Sequence, residues 1–317
     1  MARPPLHPQM LRVVALMAGP KLWEMSAGAA RVAHRERFQR LNQPLLPMGR
    51  VEDIFPAGPG GPVPLRVLIP ASATAGEVLP ALLFFHGGGW VIGSHETVEP
   101  QCRYLANAAR AVVISVEYRC APEYPFPAAI DDCLWATRWV RDNAAMLGID
   151  PRRVAVGGDS AGGGLAAVVA QQMRAAGDPG LAHQLLLFPA TSMVFDTPSY
   201  TENAEGPFLT RPMMDWFRAL YIPDPAQWRD TRASPALAED LGGLPPATIV
   251  TASHDPLRDE GIAYGQRLAA AAGVPARHRN FEGYTHAFLS WGGYIDAAFE
   301  ALDFAVAGLR ESFAATK

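Results

Sequence analysis

One short segment carries the residue types that nucleophilic catalysis needs. The segment GDSAG at 158–162 has the pattern G-x-S-x-G and lies between an apolar run (153–158) and a helical pattern (161–177). A serine on such a tight strand-to-helix turn projects its hydroxyl at a helix N-terminus, provided that its neighbours lack bulky side chains. The two flanking glycines meet that condition. We therefore predict that Ser160 is a nucleophile.

A second glycine-rich segment, HGGGW at 86–90, directly follows another apolar run. The oxygen of a tetrahedral intermediate becomes negative and must meet preorganised N–H donors, each worth roughly 2.7–4 kcal/mol of transition-state stabilisation by mutational precedent. His86 leads the glycines and lies upstream of the serine, so we expect it to hold this loop by hydrogen bonds. The predicted oxyanion hole consists of the backbone amides of Gly87, Gly88, Gly89 and Ala161, with Gly88 and Gly89 favoured within the loop.

Serine alone is a poor nucleophile, so a base must activate it and an acid must orient the base. With a G-x-S-x-G turn the acid and then the histidine follow the serine along the chain. His286 lies on a loop just past a strand-like run and is the predicted base. The other histidines after Ser160 open a strand, precede the best acid or lie within a strand: His183, His254 and His278.

Asp255 is the predicted acid because it closely follows the apolar run 247–253. Asp259 and Glu260 fall in the first turn of the next helix, where the helix dipole already stabilises a negative charge. Taken alone, Asp255 before a proline is equally well explained as a helix N-cap. The joint occurrence of serine, acid and histidine in the required order, each just past an apolar run, favours a catalytic triad.

The elements around these residues indicate an α/β fold with a mostly parallel sheet. Apolar runs without polar alternation, separated by helical patterns, are typical of parallel strands that helices cover on both faces. Two further strands, 51–57 and 64–71, suit an antiparallel edge. The runs are 81–86, 111–118, 153–158, 184–190 and 247–253, and the helical patterns are 128–147, 161–177 and 259–273.

Two regions lie outside this alternation. Helical patterns at 10–19 and 29–41 are expected to lie over the body of the protein. The region 191–235, with a short helical stretch near 211–221, interrupts the rhythm and is interpreted as an inserted cap. Apolar side chains in and near these regions are candidate pocket walls, although such residues are more often plain packing. The candidates are Trp90, Phe208, Leu209, Met213, Met214 and Phe217.

Composition excludes several classes of protein. The 317 residues are 49% hydrophobic and 18% charged, with a net charge of -4 and scattered lysines and arginines, which disfavours nucleic acid and anionic membranes as partners. The three cysteines show no ligand spacing, so neither disulfides nor a metal site is expected, and a cytoplasmic location fits best. The apolar run at 10–19 is too short to span a bilayer and lacks a signal-peptide cleavage pattern.

Several motifs together resemble the hormone-sensitive-lipase-like esterases of the α/β-hydrolase fold, often called bacterial family IV. Cys120 departs from the usual leucine, and Ala287 stands where glycine is common. The similar segments are HGGGWVIGS (86–94), YRCAPEYPFPAAIDD (118–132), GDSAGGGLAA (158–167), DPLRDEG (255–261) and the residues 281–287 around the histidine.

This resemblance implies that Ser160, Asp255 and His286 form the triad of a carboxylesterase in the GDSAG subgroup. It also implies a cap of N-terminal helices (1–45) on a catalytic domain (46–317) that carries the insertion. The expected substrates are short- to medium-chain acyl esters, cleaved through an acyl-enzyme without a metal or organic cofactor. A homodimer is left open.

Three alternative functions share features with this sequence. Gly162, Gly164 and Ala167 fit a relaxed dinucleotide-binding pattern, but they lie within a helix and not in the turn before it. A binding protein on the same scaffold would lack a triad member, and all three members are present. A peptidase or amidase stays open, because a triad does not reveal whether the scissile bond is an ester or an amide.

Overall fold

The computed structural model describes residues 4–40 and 45–316. Its central element is a sheet with the spatial strand order β1-β4-β6-β5-β7-β8-β9-β10, which comprises eight strands within the described residues. The strands are β1 (Met48–Ile54), β2 (Ala57–Gly58), β3 (Gly61–Pro62), β4 (Leu65–Pro70), β5 (Leu79–Phe85), β6 (Val112–Val116), β7 (Ile149–Asp159), β8 (Gln184–Leu187), β9 (Ala247–His254) and β10 (Ala276–Thr285).

Neighbouring strands from β6 to β10 are paired in parallel, so the predicted parallel sheet is confirmed. Strand β4 runs antiparallel to both of its neighbours, β1 and β6. The predicted antiparallel edge is likewise confirmed, because β1 pairs with β4. The chain between them forms the small ladder β2–β3.

Helices cover both faces of the sheet, as the pattern predicted. Along β5, Leu83 and Phe85 belong to one buried cluster, and the alternate residues Leu82 and Phe84 belong to the other. The helices are α1 (Pro8–Leu16), α2 (Ala27–Arg40), α3 (His95–Ala109), α4 (Ala128–Asp142), α5 (Ala144–Leu147), α6 (Ala161–Ala176), α7 (Pro198–Glu202), α8 (Arg211–Tyr221), α9 (Arg258–Ala270) and α10 (Asp296–Ala315).

The predicted helix 128–147 is wrong as one element, because it is divided into α4 and α5. The break lies at Asn143, whose side-chain amide donates to the carbonyl oxygen of Trp139 at 2.8 Å. The backbone of Asn143 departs from helical values, with φ -105° and ψ 21°, although its own N–H still donates to the same carbonyl oxygen at 3.0 Å. Helices α3 and α10 were not anticipated from the sequence.

The N-terminal helices α1 and α2 occupy the two segments where helices were expected. The N–H of His7, just before α1, donates to the carbonyl oxygen of Gly283 in β10 at 2.8 Å. Residues 1–3 and 41–44 of the predicted cap segment, including the last residue of its second helix, lie outside the described residues. Among the described helices, none combines the length and apolarity needed to cross a membrane.

Candidate active site

Ser160 lies on a strained turn between β7 and α6. Its backbone has φ 56° and ψ -121°, a conformation that is unfavourable for residues with a side chain. A Cβ at Gly162 would lie 1.9 Å from the carbonyl oxygen of Phe85, and one at Gly158 would lie 2.4 Å from the same atom. The turn can therefore lie against β5 only because both flanking residues are glycine.

Ser160, His286 and Asp255 form one continuous chain of hydrogen bonds. The Ser160 hydroxyl lies 2.8 Å from His286 Nε2, and His286 Nδ1 lies 2.7 Å from Asp255 Oδ2. The exposed fractions of the three residues are 9%, 4% and 0% in the same order. The imidazole is thus held between a buried carboxylate and the hydroxyl that it would deprotonate.

Asp255 occupies the position of the triad acid, whereas the alternative interpretation as an N-cap is wrong, because the N-cap of α9 is Leu257. Its Oδ1 accepts the N–H of Leu257 at 2.9 Å, a local turn that leads into α9, while its Oδ2 faces His286. The neighbouring acids point to other groups. Asp259 accepts the N–H of Ser199 at 2.8 Å, and Glu260 accepts the N–H of Thr191 at 2.5 Å, so both bind the insertion.

The remaining histidines after Ser160 have partners elsewhere. His183 lies 2.9 Å from the Ser312 hydroxyl, His254 lies 2.8 Å from the carbonyl oxygen of Pro4, and His278 lies 2.8 Å from the Thr251 hydroxyl. These contacts agree with the choice of His286 as the base.

His86 contacts the glycine loop, as expected. Its ring stacks on Tyr118 with the centroids 4.2 Å apart, and its Nδ1 lies 2.8 Å from the carbonyl oxygen of Gly87. The Tyr118 hydroxyl donates to the carbonyl oxygen of His86 at 2.7 Å. These contacts hold the first residues of the loop in place.

Three backbone amides of the expected oxyanion hole are free to bind a ligand. Within the described part of the chain, the N–H groups of Gly88, Gly89 and Ala161 have no acceptor. A Cβ at Gly88 would lie 2.1 Å from the carbonyl oxygen of Ile92, and its φ is +115°, so this bend requires glycine. The loop and the start of α6 thus present unpaired N–H donors beside Ser160.

The expectation for Gly87 is wrong. Its N–H donates to Asp159 Oδ1 at 2.8 Å, so this amide is already occupied. Burial raises the pKa of Asp159 to about 6, although the hydrogen bond from Gly87 opposes the shift. The residue before the nucleophile therefore fixes the loop through the amide that the sequence had placed in the oxyanion hole.

A cavity lies over Ser160 and the glycine loop. Four of the predicted wall residues line it: Phe208, Leu209, Met213 and Phe217. Other side chains, which were not predicted from the sequence, reach the cavity from α2, α3 and the end of the glycine loop. These are His34, Phe38, Ile92, Thr97 and Val98.

Two predicted wall residues, Trp90 and Met214, are buried elsewhere and do not line this cavity. The Trp90 ring stacks on Tyr221 with a centroid distance of 4.7 Å and an interplanar angle of 5°. Met214 follows Met213 on α8, and successive helical residues point about 100° apart. Met213 therefore faces the cavity while Met214 faces the core.

A family model described as the alpha/beta hydrolase fold matches residues 82–290, a range that contains the serine, the acid and the histidine. The chain belongs to this family. The relatives of this α/β hydrolase include Esterase LipI of Mycobacterium tuberculosis, which is 41% identical over 97% of this chain and 95% of the relative. Carboxylesterase NlhH of the same species is 43% identical over 88% of each chain.

A solved structure supports the same assignment. An ester hydrolase from the metagenome of Lake Arreo, in complex with a bipyridine phosphonate derivative, is 42% identical to this α/β hydrolase. The alignment covers 98% of this chain and 99% of the other, with a TM-score of 0.93. The resemblance to hormone-sensitive-lipase-like esterases is thereby confirmed, whereas membership of the GDSAG subgroup stays a prediction.

Proposed function

We propose that this α/β hydrolase is a serine carboxylesterase that cleaves short- to medium-chain acyl esters through an acyl-enzyme intermediate. The observation that carries the proposal is the hydrogen-bonded chain from Asp255 through His286 to Ser160, which opens onto a cavity beside unpaired amides. The names of the relatives, an esterase and a carboxylesterase, support the same chemistry.

In the first half of the reaction His286 Nε2 takes the proton of the Ser160 hydroxyl as its oxygen attacks the ester carbonyl. Asp255 accepts from Nδ1, which fixes the tautomer and stabilises the imidazolium that forms. The carbonyl oxygen becomes an oxyanion that the amides of Gly88, Gly89 and Ala161 receive. His286 then gives its proton to the departing alcohol, which leaves the acyl group on Ser160.

In the second half water takes the place of the alcohol. His286 removes a proton from the water as its oxygen attacks the acyl carbon, and the same amides receive the second oxyanion. Return of the proton to Ser160 Oγ releases the carboxylic acid. Every proton moves through one imidazole, so the residues present suffice for both halves of the hydrolysis.

The walls of the cavity support a preference for modest acyl groups. Phe208, Met213 and Phe217 give it apolar walls, and residues from α2 and the insertion cover it. We propose that segments 1–45 and 191–235 together form a cap on the catalytic body 46–317, since both contribute wall residues. Homodimer formation stays a prediction that light scattering during size-exclusion chromatography would measure.

Replacement of the proposed nucleophile tests this function. We expect Ser160→Ala to lower kcat/KM for p-nitrophenyl butyrate by roughly 10⁴-fold or more, because the oxyanion amides and the cavity remain but the attacking group is lost. Ser290→Ala, a serine outside the cavity, is the matched control and should keep full activity. Circular dichroism and thermal unfolding would verify that both variants fold.

Three outcomes separate the candidate functions. Equal turnover by wild type and Ser160→Ala would reject the assigned nucleophile. Turnover of p-nitroacetanilide at a rate comparable to that of the ester would favour an amidase. Loss of activity in Ser290→Ala alongside Ser160→Ala would indicate a general effect on folding.

A further inference from the structure

A second chamber lies beside the active-site cavity, between α1, residues 17–23, α2 and the insertion. We call it the outer chamber, and the centre of a water-sized sphere can occupy about 310 Å³ of it, against about 40 Å³ of the cavity over Ser160. His34, Phe208 and Met213 line both spaces. The outer chamber therefore adjoins the place where an ester would be cleaved, and these three side chains stand between the two spaces.

The walls of the outer chamber are apolar, and the charges among them are of one sign. Of the described residues that line it, none is acidic, whereas Lys21 and Arg37 are basic. Lys21 has a counter-ion, because its Nζ lies 3.2 Å from Glu24 Oε1. The apolar side chains include Met10, Val13, Val14, Leu22, Trp23 and Trp291.

The described part of the chain offers no such counter-ion to Arg37. Among the described residues its guanidinium makes no salt bridge and donates only to the carbonyl oxygen of Pro20. A Cβ at Gly19 would lie 3.0 Å from Arg37 Nη2, so the guanidinium rests against this turn. Burial and the charge of Arg40 lower the pKa of Arg37, yet a guanidinium stays charged in proteins. A fixed, uncompensated positive charge thus borders the chamber.

The position of Arg37 relative to the active site follows from helix geometry. Arg37 comes three residues after His34 on the same face of α2, which corresponds to about 4.5 Å along the helix axis. Burial lowers the pKa of His34 to about 3, so this side chain, which lines both spaces, carries no charge at neutral pH. The alkyl chain of a substrate that extends from the active site past His34 would first meet apolar walls and then the guanidinium of Arg37.

We propose that the outer chamber is a substrate subsite for esters that carry a carboxylate at their far end. The apolar chain passes between His34, Phe208 and Met213, and the carboxylate pairs with Arg37. Such substrates include half-esters of medium-chain dicarboxylic acids and acyl esters of ω-hydroxy acids. This inference rests on the proposed esterase function and specifies its substrate class.

The test compares esters of equal chain length that differ in the distal charge. On the acyl side, the pair is mono-p-nitrophenyl suberate and p-nitrophenyl octanoate. On the alcohol side, the pair is 8-acetoxyoctanoate and octyl acetate, followed by pH-stat titration. The measured quantity is the ratio of kcat/KM for the anionic ester to that for the neutral ester.

We expect Arg37→Gln to lower this ratio by about ten-fold on at least one side, mainly through KM, since a hydrogen bond to a charged group is lost. Arg37→Glu should lower it further, and added salt should weaken the wild-type preference. The matched control is Arg12→Gln, an exposed arginine of α1 outside the chamber, which should leave the ratio unchanged. The side that responds identifies the part of the ester that occupies the chamber.

Two results would contradict the proposal in different ways. If wild type hydrolyses the neutral esters but Arg37→Gln and Arg37→Glu leave the ratio unchanged on both sides, the subsite is rejected while the esterase function stands. If wild type hydrolyses none of the four esters, the proposed function fails and the subsite with it. Thermal unfolding of each variant controls for loss of structure.

Discussion

Asp159 shows how one side chain beside the nucleophile shapes the site without joining the triad. It is 7% exposed, and its Oδ1 accepts the N–H of Gly87, the first glycine of the oxyanion loop. A Cβ at Gly87 would lie 2.4 Å from Asp159 Oδ2, so loop and carboxylate are in close contact. The carboxylate therefore links the turn that carries Ser160 to the loop that would bind the oxyanion.

The raised pKa of Asp159 gives a testable dependence of stability on pH. Burial raises it from 3.8 to about 6, so the stability contributed by the protonated carboxyl is present below about pH 4 and lost as pH rises through 6. Asparagine keeps an acceptor for Gly87 but does not titrate. We expect the free energy of unfolding of Asp159→Asn, relative to wild type, to increase by about 2 kcal/mol between about pH 4 and 7.

Urea denaturation of both proteins across this pH range measures the difference. A constant offset between the two curves would show that Asp159 ionises in the folded protein as it does in the unfolded chain.

At the scale of elements, the sequence predicted the strands of the sheet whose residues are apolar because they are buried. Strands β5 to β9 are buried on both faces, which requires the continuous apolar runs that revealed them. The insertion helix α8 occupies the expected residues 211–221. The break at Asn143 is a single residue with φ -105° and ψ 21°, and no periodic pattern records such a local departure.

The triad residues of the site could likewise be predicted from the sequence. Ser160, Asp255 and His286 each follow a strand, so the parallel sheet brings them together. The cavity walls were less predictable, because they depend on how α2 and α8 dock. His34 and Phe38 are four residues apart on one face of α2, but the sequence does not say what that face covers. The prediction that Trp90 and Met214 line the cavity was wrong for the same reason.

The contact between α6 and β5 supports a prediction about glycine. Alanine at Gly162 would place a Cβ 1.9 Å from the carbonyl oxygen of Phe85, and backbone in a buried strand cannot move away. We expect Gly162→Ala to lower the free energy of unfolding by about 3 kcal/mol or more, at the upper end of overpacking effects. Denaturation by urea or heat measures the loss.

The matched control is Gly28→Ala in α2, where a Cβ meets nothing within 4 Å. Because alanine is the better helix former, this change should stabilise the protein by up to about 1 kcal/mol. Equal stabilities of the two variants would contradict the close approach of α6 to β5.

In the whole molecule, the order of strands explains why distant segments meet. The oxyanion loop follows β5, Ser160 follows β7, Asp255 follows β9 and His286 follows β10, and these strands lie on one side of the sheet order. Ligands of such sheets bind beyond the carboxyl ends of the strands. Helices α2 and α3 and the insertion contribute walls of the cavity above Ser160.

Covalent labelling tests most directly whether Ser160 is the nucleophile of this single site. The protein is treated with diethyl p-nitrophenyl phosphate, released p-nitrophenol is counted, and the labelled peptide is identified by mass spectrometry. We expect one diethyl phosphoryl group per chain, on Ser160, with esterase activity lost in proportion and no labelling of Ser160→Ala. A label on another residue accompanying that loss, or activity that survives full labelling of Ser160, would contradict the account.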